Sequence, residues 1–222
     1  MQLLAVRTAR FIAAISTEEL NPRGLVIYPS LIDGLVDRYN FDTYPEGDDE
    51  LDETKGISFE NGNWNGILID AVTIFSDGII VNTRSSTKDS EAIFNEAMQW
   101  ASESIGITYS PSMISRKIFV SEFILRSEVA LSGLNPALQA FSKKVSDTLT
   151  TYTKLKLNYE FNGAIFHYDQ WATKTSVAPF KIERLENSDY SENKYYSVAP
   201  LPTEEHLKLL EEFEDILSAS SS

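Results

Sequence analysis

The sequence predicts an α+β fold, a mostly antiparallel sheet with several helices packed against it, and three observations lead there. Runs rich in β-branched and aromatic residues are joined by short polar turns, most clearly in "AVTIF-SDG-IIVNT". Helix-compatible segments with apolar stripes and capping residues occur singly among those runs, which argues against regular parallel βαβ winding. No repeat array, heptad pattern or low-complexity linker divides the chain. The expected organisation is a single domain, residues 1–222, with an exposed acidic loop at about 45–55 and a frayed Ser-rich tail at about 218–222. A domain of this length buries roughly 70% of the surface of its unfolded chain.

The opening "MQLLAVRTARFIAAI" is β-compatible, and Arg7 and Arg10 interrupt what a signal peptide would need as an unbroken apolar stretch. Asn21, Pro22 and Gly24 mark a turn. "YPSLIDGLVDRY" then sets Leu31, Ile32, Leu35 and Val36 at helical spacing, with Pro29 or Ser30 near its start. The following "YPEGDDELDETKG" is dominated by acids. Asp48, Asp49, Glu50, Asp52 and Glu53 are hard oxygen ligands, but Gly47 precedes them instead of forming a central turn, so a calcium loop is not expected.

"ENGN" carries the chemistry of a hairpin connection, and Ser76, Asp77 and Gly78 are expected to form a second turn with Gly78 at positive φ. Thr73, Phe75, Ile79 and Val81 would line up across that pair. A helix follows, capped by Ser86 or Thr87, with Ile93, Phe94, Ala97, Met98, Ala101 and Ile105 on one stripe and Gly106 at its exit. "RKIFVSEFILR" reads as a strand. "LNPALQAFSKKVSDTLTTY" reads as a helix capped by Asn135, with Pro136 first and Leu138, Phe141, Val145 and Leu149 on its apolar face. "KLKLNYEFNGAIFHYDQW", "APFKIERLE" and "NKYYSVAPL" read as three strands, and "PTEEHLKLLEEFEDIL" as an acid-rich helix capped by Thr203. The passages leading to Thr87 and Thr203 share strand, connection, cap, acidic first turn and apolar helix at the same spacing. A duplication would produce this, and so would the general likeness of strand-to-helix connections.

Composition narrows function. Cysteine is absent, which removes disulfides, thiolate metal sites and thiol nucleophiles and suits a reducing, cytoplasmic compartment. The formal charge of -14 makes direct nucleic-acid binding unfavoured, and no apolar run reaches the roughly 20 residues that span a bilayer. No cofactor or metal is expected. The best candidates for acid–base chemistry are His167 and Asp169, which share a face if their segment is a strand. His206 reads as a surface residue, because Leu210 stands where a zinc-binding helix would place its second histidine. Arg84, Ser86 and Thr87 are a weak anion-binding candidate at a helix N-terminus. Aromatics concentrate in the second half, with Trp171, Tyr190, Tyr195 and Tyr196 as candidate interface residues.

The expected function is therefore a non-enzymatic interaction or accessory module of a larger cytoplasmic assembly, contacting a protein partner as homo-oligomer or hetero-complex through its aromatic-rich C-terminal half. The alternatives are a hydrolase or transferase using His167 with Asp169, and an acidic nucleic-acid mimic that inhibits a basic protein.

Overall fold

The computed structural model describes residues 1–24, 26–173 and 177–220. Among the described residues eight strands form an antiparallel sheet accompanied by six α-helices, an α+β fold. In chain order the strands are β1 (Gln2–Ala14), β2 (Ile57–Trp64), β3 (Ile67–Phe75), β4 (Gly78–Thr83), β5 (Arg116–Arg126), β6 (Gly163–Phe166), β7 (Phe180–Arg184) and β8 (Lys194–Ala199). The helices are α1 (Thr17–Leu20), α2 (Tyr28–Tyr39), α3 (Thr87–Ser104), α4 (Pro136–Thr153), α5 (Gln170–Thr173) and α6 (Thr203–Ser220). The strand order is β2-β3-β4-β1-β5-β8-β7-β6. The likeness noted between the approaches to Thr87 and Thr203 extends to topology: in each half a first strand, a helical connection, a three-strand meander and a long helix follow one another, and the orders β1-β4-β3-β2 and β5-β8-β7-β6 correspond.

Contacts divide the chain into two compact units. The N-terminal unit comprises Val6–Ser121 with Pro200–Thr203. Its two hairpins are set by different turns. Between β2 and β3 the turn is Asn65–Gly66, at φ 51° and 85°, the left-handed pair of a type I′ turn that matches strand twist. "ENGN" is thus within β2 and is not the connection. Between β3 and β4, Ser76 and Asp77 form the turn and Phe75 pairs with Gly78. That register pairs Val72 with Val81 and Ile74 with Ile79, one position away from the expected facing set. Gly78 is not at positive φ; a Cβ there would lie 3.1 Å from the Ala13 carbonyl, so its role is close approach to β1.

Helix α3 packs through Thr87, Ser90, Ile93, Phe94, Met98 and Ala101, the spacing its sequence predicts. Ser86 is its cap, accepting from the Asp89 N–H at 3.1 Å, and Gly106, at φ 89°, ends it by donating to the Ala101 carbonyl at 2.9 Å. Ser90 anchors the helix to the sheet by donating to the Ala9 carbonyl at 2.8 Å. Helix α2 turns Ile32, Leu35 and Tyr39 inward, and they meet Phe11, Phe41, Phe59 and Phe94 in one core. Each such side chain contributes roughly 1.5–3 kcal/mol on full burial.

The C-terminal unit comprises Glu122–Ala199 and Glu204–Ser222 with Met1–Ala5. Its buried residues include Phe123, Leu125, Leu131, Ile182, Tyr195, Leu210 and Leu217. The segment expected to be one long strand is a strand only over Gly163–Phe166; residues 156–161 run beside α4, where the Tyr159 N–H donates to Ser146 Oγ at 2.8 Å instead of to a strand. α6 remains helical through Ser220, and the end of the Ser-rich tail, Ser221 and Ser222, lies outside the described residues. In the acidic stretch, Asp48–Glu50 form a 3₁₀ turn, and Glu53 turns back to accept from Thr17 and Tyr28. Among the described residues no helix is long and apolar enough to cross a membrane.

Candidate functional site

The acid–base pair does not assemble as a strand would have arranged it. β6 ends at Phe166, so His167 and Asp169 lie beyond it. The Asp169 carboxylate accepts from the N–H groups of Trp171 (2.9 Å) and Ala172 (3.3 Å), which starts the short helix α5. His167 is exposed. The premise that alternation would aim both side chains one way is overturned, because the residues that follow Phe166 adopt helix-start geometry.

The anion-binding candidates are held by internal contacts. Arg84 pairs with Asp70 at 3.0 Å. Ser86 Oγ accepts from the Asp89 N–H and donates to its carboxylate at 2.8 Å. Thr87 is buried, and its N–H donates to Thr203 Oγ1 at 2.9 Å. The Thr87 and Asp89 N–H groups at the start of α3 are therefore engaged by the chain's own side chains.

The four aromatic candidates divide. Trp171 is 94% exposed and Tyr190 about half-exposed, its ring lying 4.2 Å from the Arg184 guanidinium. Tyr196 is half-buried and donates to Glu122 at 2.7 Å. Tyr195 is fully buried and accepts the Leu131 N–H at 3.1 Å, so it belongs to the core and not to a contact face. Alternation along β8 explains this: Tyr195, Ser197 and Ala199 share the inward face. The signal in "KYYSVA" was Lys194, which shares the outward face with Tyr196 and Val198 and so marks Tyr195 as inward.

Other residues of this unit present more apolar surface. Helix α4 is 18 residues long and buries none of them; Phe141, on its apolar face, is 64% exposed. Ile165 and Phe166 on β6, an edge strand of the sheet, are also largely exposed, as are Tyr152 and Leu155. Periodicity found the α4 apolar face; what it could not register is that Leu138, Val145 and Leu149 are only partly covered and Phe141 is left exposed.

His206 corrects the reading in the opposite sense. It is fully buried, stacked 4.5 Å from the Phe123 ring, with Nε2 2.9 Å from Ser197 Oγ. Ser197 donates its one hydroxyl proton to the Lys181 carbonyl at 2.9 Å, so the histidine Nε2 is the donor toward it. That polarity is the reverse of an activated serine, and both groups serve the core. The signal lay in helical spacing: Thr203, His206, Leu210 and Leu217 form the buried stripe of α6. Further along α6, burial works to raise the Glu214 carboxyl, but bonds from the Met1 ammonium, the Ser127 hydroxyl and the Glu128 N–H outweigh it and hold the group below the ordinary carboxylate value.

The N-terminal unit contains a site that no motif announced. A cavity of about 430 Å³ lies among α2, α3, β3 and β4, within the size range of small-molecule pockets. Leu31 and Leu35, Ile93, Phe94, Ala97 and Met98, and the paired Val72, Ile74, Ile79 and Val81 form its apolar walls. Thr17, Tyr28 and Glu53 stand at its polar end. Burial, together with the hydrogen bond to Glu53 and its charge, pushes the Tyr28 phenol well above its ordinary value, so it stays protonated and donating. Glu53 sits among five acids in sequence and was indistinguishable from its neighbours there.

Compared with models of known protein families and with curated protein sequences, the chain matches none.

Proposed function

We propose that this chain is a non-enzymatic interaction module of a larger cytoplasmic assembly, contacting a protein partner through the C-terminal unit. The observation that carries this reading is α4, an amphipathic helix of 18 residues that buries none of them. Amphipathic helices in proteins draw most of their stability from packing the apolar face and not from intrinsic propensity. A partner that covered Leu138, Phe141, Val145 and Leu149 would supply the missing packing. The exposed Ile165, Phe166 and Trp171 extend the same chemistry onto other elements of the unit, and Trp is enriched among residues that dominate interfaces. The absence of cysteine favours a reducing compartment for that assembly. An enzymatic role for His167 draws no support from its surroundings, since Asp169 is engaged at the start of α5.

The test is affinity purification of the tagged chain from its native cells at low and high salt, alongside a Phe141→Glu/Trp171→Glu variant, with light scattering for mass. A stoichiometric protein, or a second copy of the chain, that is retained at high salt and lost from the variant supports the reading. A monomer at both salts, or a partner indifferent to the substitutions, overturns it. A partner released by salt and unaffected by the variant favours charge mimicry instead.

A further inference from the structure

We propose that the cavity of the N-terminal unit is a binding site for a compact apolar amine, its hydrocarbon body among the walls and its ammonium group against Glu53.

The walls specify the body. The wall side chains from β3, β4 and α3, with Leu31 and Leu35 of α2, are hydrocarbon or thioether, and they converge from three directions, so the space favours a compact shape. Met98 adds a flexible, polarisable side chain that adapts to an irregular outline. Ala97 keeps the α3 wall set back, where a larger residue would fill the volume.

The polar end specifies the head group. Glu53 accepts from Tyr28 through one carboxylate oxygen and from Thr17 through the other, which leaves each oxygen further capacity to accept. Tyr28 and Thr17 direct their protons at that carboxylate, and Thr17 also toward the Ser76 carbonyl, so what they present to the cavity is lone pairs. Asn21 is engaged through both side-chain atoms with Val26, and Tyr39 donates to Glu96. With these donors engaged internally and the Glu53 oxygens open, the carboxylate is suited to a ligand that donates, and the Ser16 and Ser76 hydroxyls on the same lining can turn to accept as well. Glu18, exposed on the same lining, adds negative charge, and the whole chain carries -14, so a cation is attracted and a carboxylate of the same shape is repelled.

The probes are 2-naphthylmethylamine and 2-naphthoate, which share an apolar body and differ in the sign of the head group. Binding is followed on the full chain labelled with ¹³C at the methionine methyls; there are three methionines, and Met98 is the one on the cavity wall. The expected result is that the amine shifts the Met98 signal and binds at least about tenfold more tightly than the carboxylate, about the discrimination of one charge-assisted contact. Glu53→Gln should bring the two probes within about threefold of each other. Ala97→Leu, which fills the cavity, should abolish amine binding with the melting temperature unchanged or raised. The proposal is overturned if neither probe moves the Met98 signal of the unaltered chain at millimolar concentration, or if the carboxylate binds as tightly as the amine. Both of those results come from the native sequence and do not depend on a variant folding.

Discussion

Thr87 and Thr203 exchange hydrogen bonds reciprocally: each backbone N–H donates to the other's Oγ1 at 2.9 Å, and both residues are buried. They are the first residues of α3 and α6, so each hydroxyl satisfies one of the orphan donors that every helix start exposes. The pair stands at equivalent places in the two halves of the topology. Thr203→Val and Thr87→Val should each lower stability by about 1–3 kcal/mol, because each leaves the partner's buried N–H without an acceptor. Urea denaturation measures this, and a loss below about 0.3 kcal/mol would show that water replaces the hydroxyl.

Burial pushes the Tyr39 phenol up from 10.0 to about 12, with Arg38 working in the opposite direction. A proton held more tightly in the folded chain is a source of stability that is fully present below pH 10 and is lost as pH rises toward 12. Tyr39→Phe should therefore show a shallower fall in stability across that window than the native chain, by up to about 3 kcal/mol. Parallel slopes for the two proteins would show that the hydroxyl is not the titrating group.

The two histidines should differ sharply in their effect on stability, with His206 behaving oppositely to its sequence reading as a surface residue. His206→Ala removes a ring stacked on Phe123 and should cost about 3 kcal/mol. His167→Ala, on an exposed residue, should change stability by less than about 0.5 kcal/mol. Thermal melts of the two variants decide this, and a comparable loss from both would place His167 in a packed environment.

Gly163 lies where β6 meets β7, and a Cβ there would come within 2.4 Å of the Ile182 carbonyl and 2.6 Å of Glu183 Cα. Backbone atoms cannot yield as a side chain tip can. Gly163→Ala should loosen this edge of the sheet at a cost of about 1–3 kcal/mol. Hydrogen exchange should report it as lost amide protection within Phe180–Arg184; unchanged protection would mean that β6 shifts without disturbing β7.

Legibility in the sequence followed the range of the interactions involved. The caps at Ser86 and Asn135 and the glycine exit at Gly106 were readable because they act over a few residues of chain. Hairpin register was not readable, since the difference between Thr73 and Ile74 facing Ile79 depends on which two residues turn. The candidate sites fared worse for the same reason. Tyr28 and Glu53 meet across 25 positions, and nothing local marks either as the other's partner.

What the sequence by itself determined is the class of fold, the longer helices α2, α3, α4 and α6 with the caps at Ser86 and Asn135, the lack of thiol chemistry and the acidic charge of the chain. These follow from residue type and short-range periodicity. The cap expected at Thr203 instead serves the Thr87 N–H. Tertiary structure decided that Tyr195 and His206 are core while Phe141 and Trp171 face outward, and that α2 and α3 stand far enough from the sheet to leave a cavity. Periodicity identifies a helix's apolar face, but burial depends on whether another element arrives to cover it, and that is a property of the assembled chain.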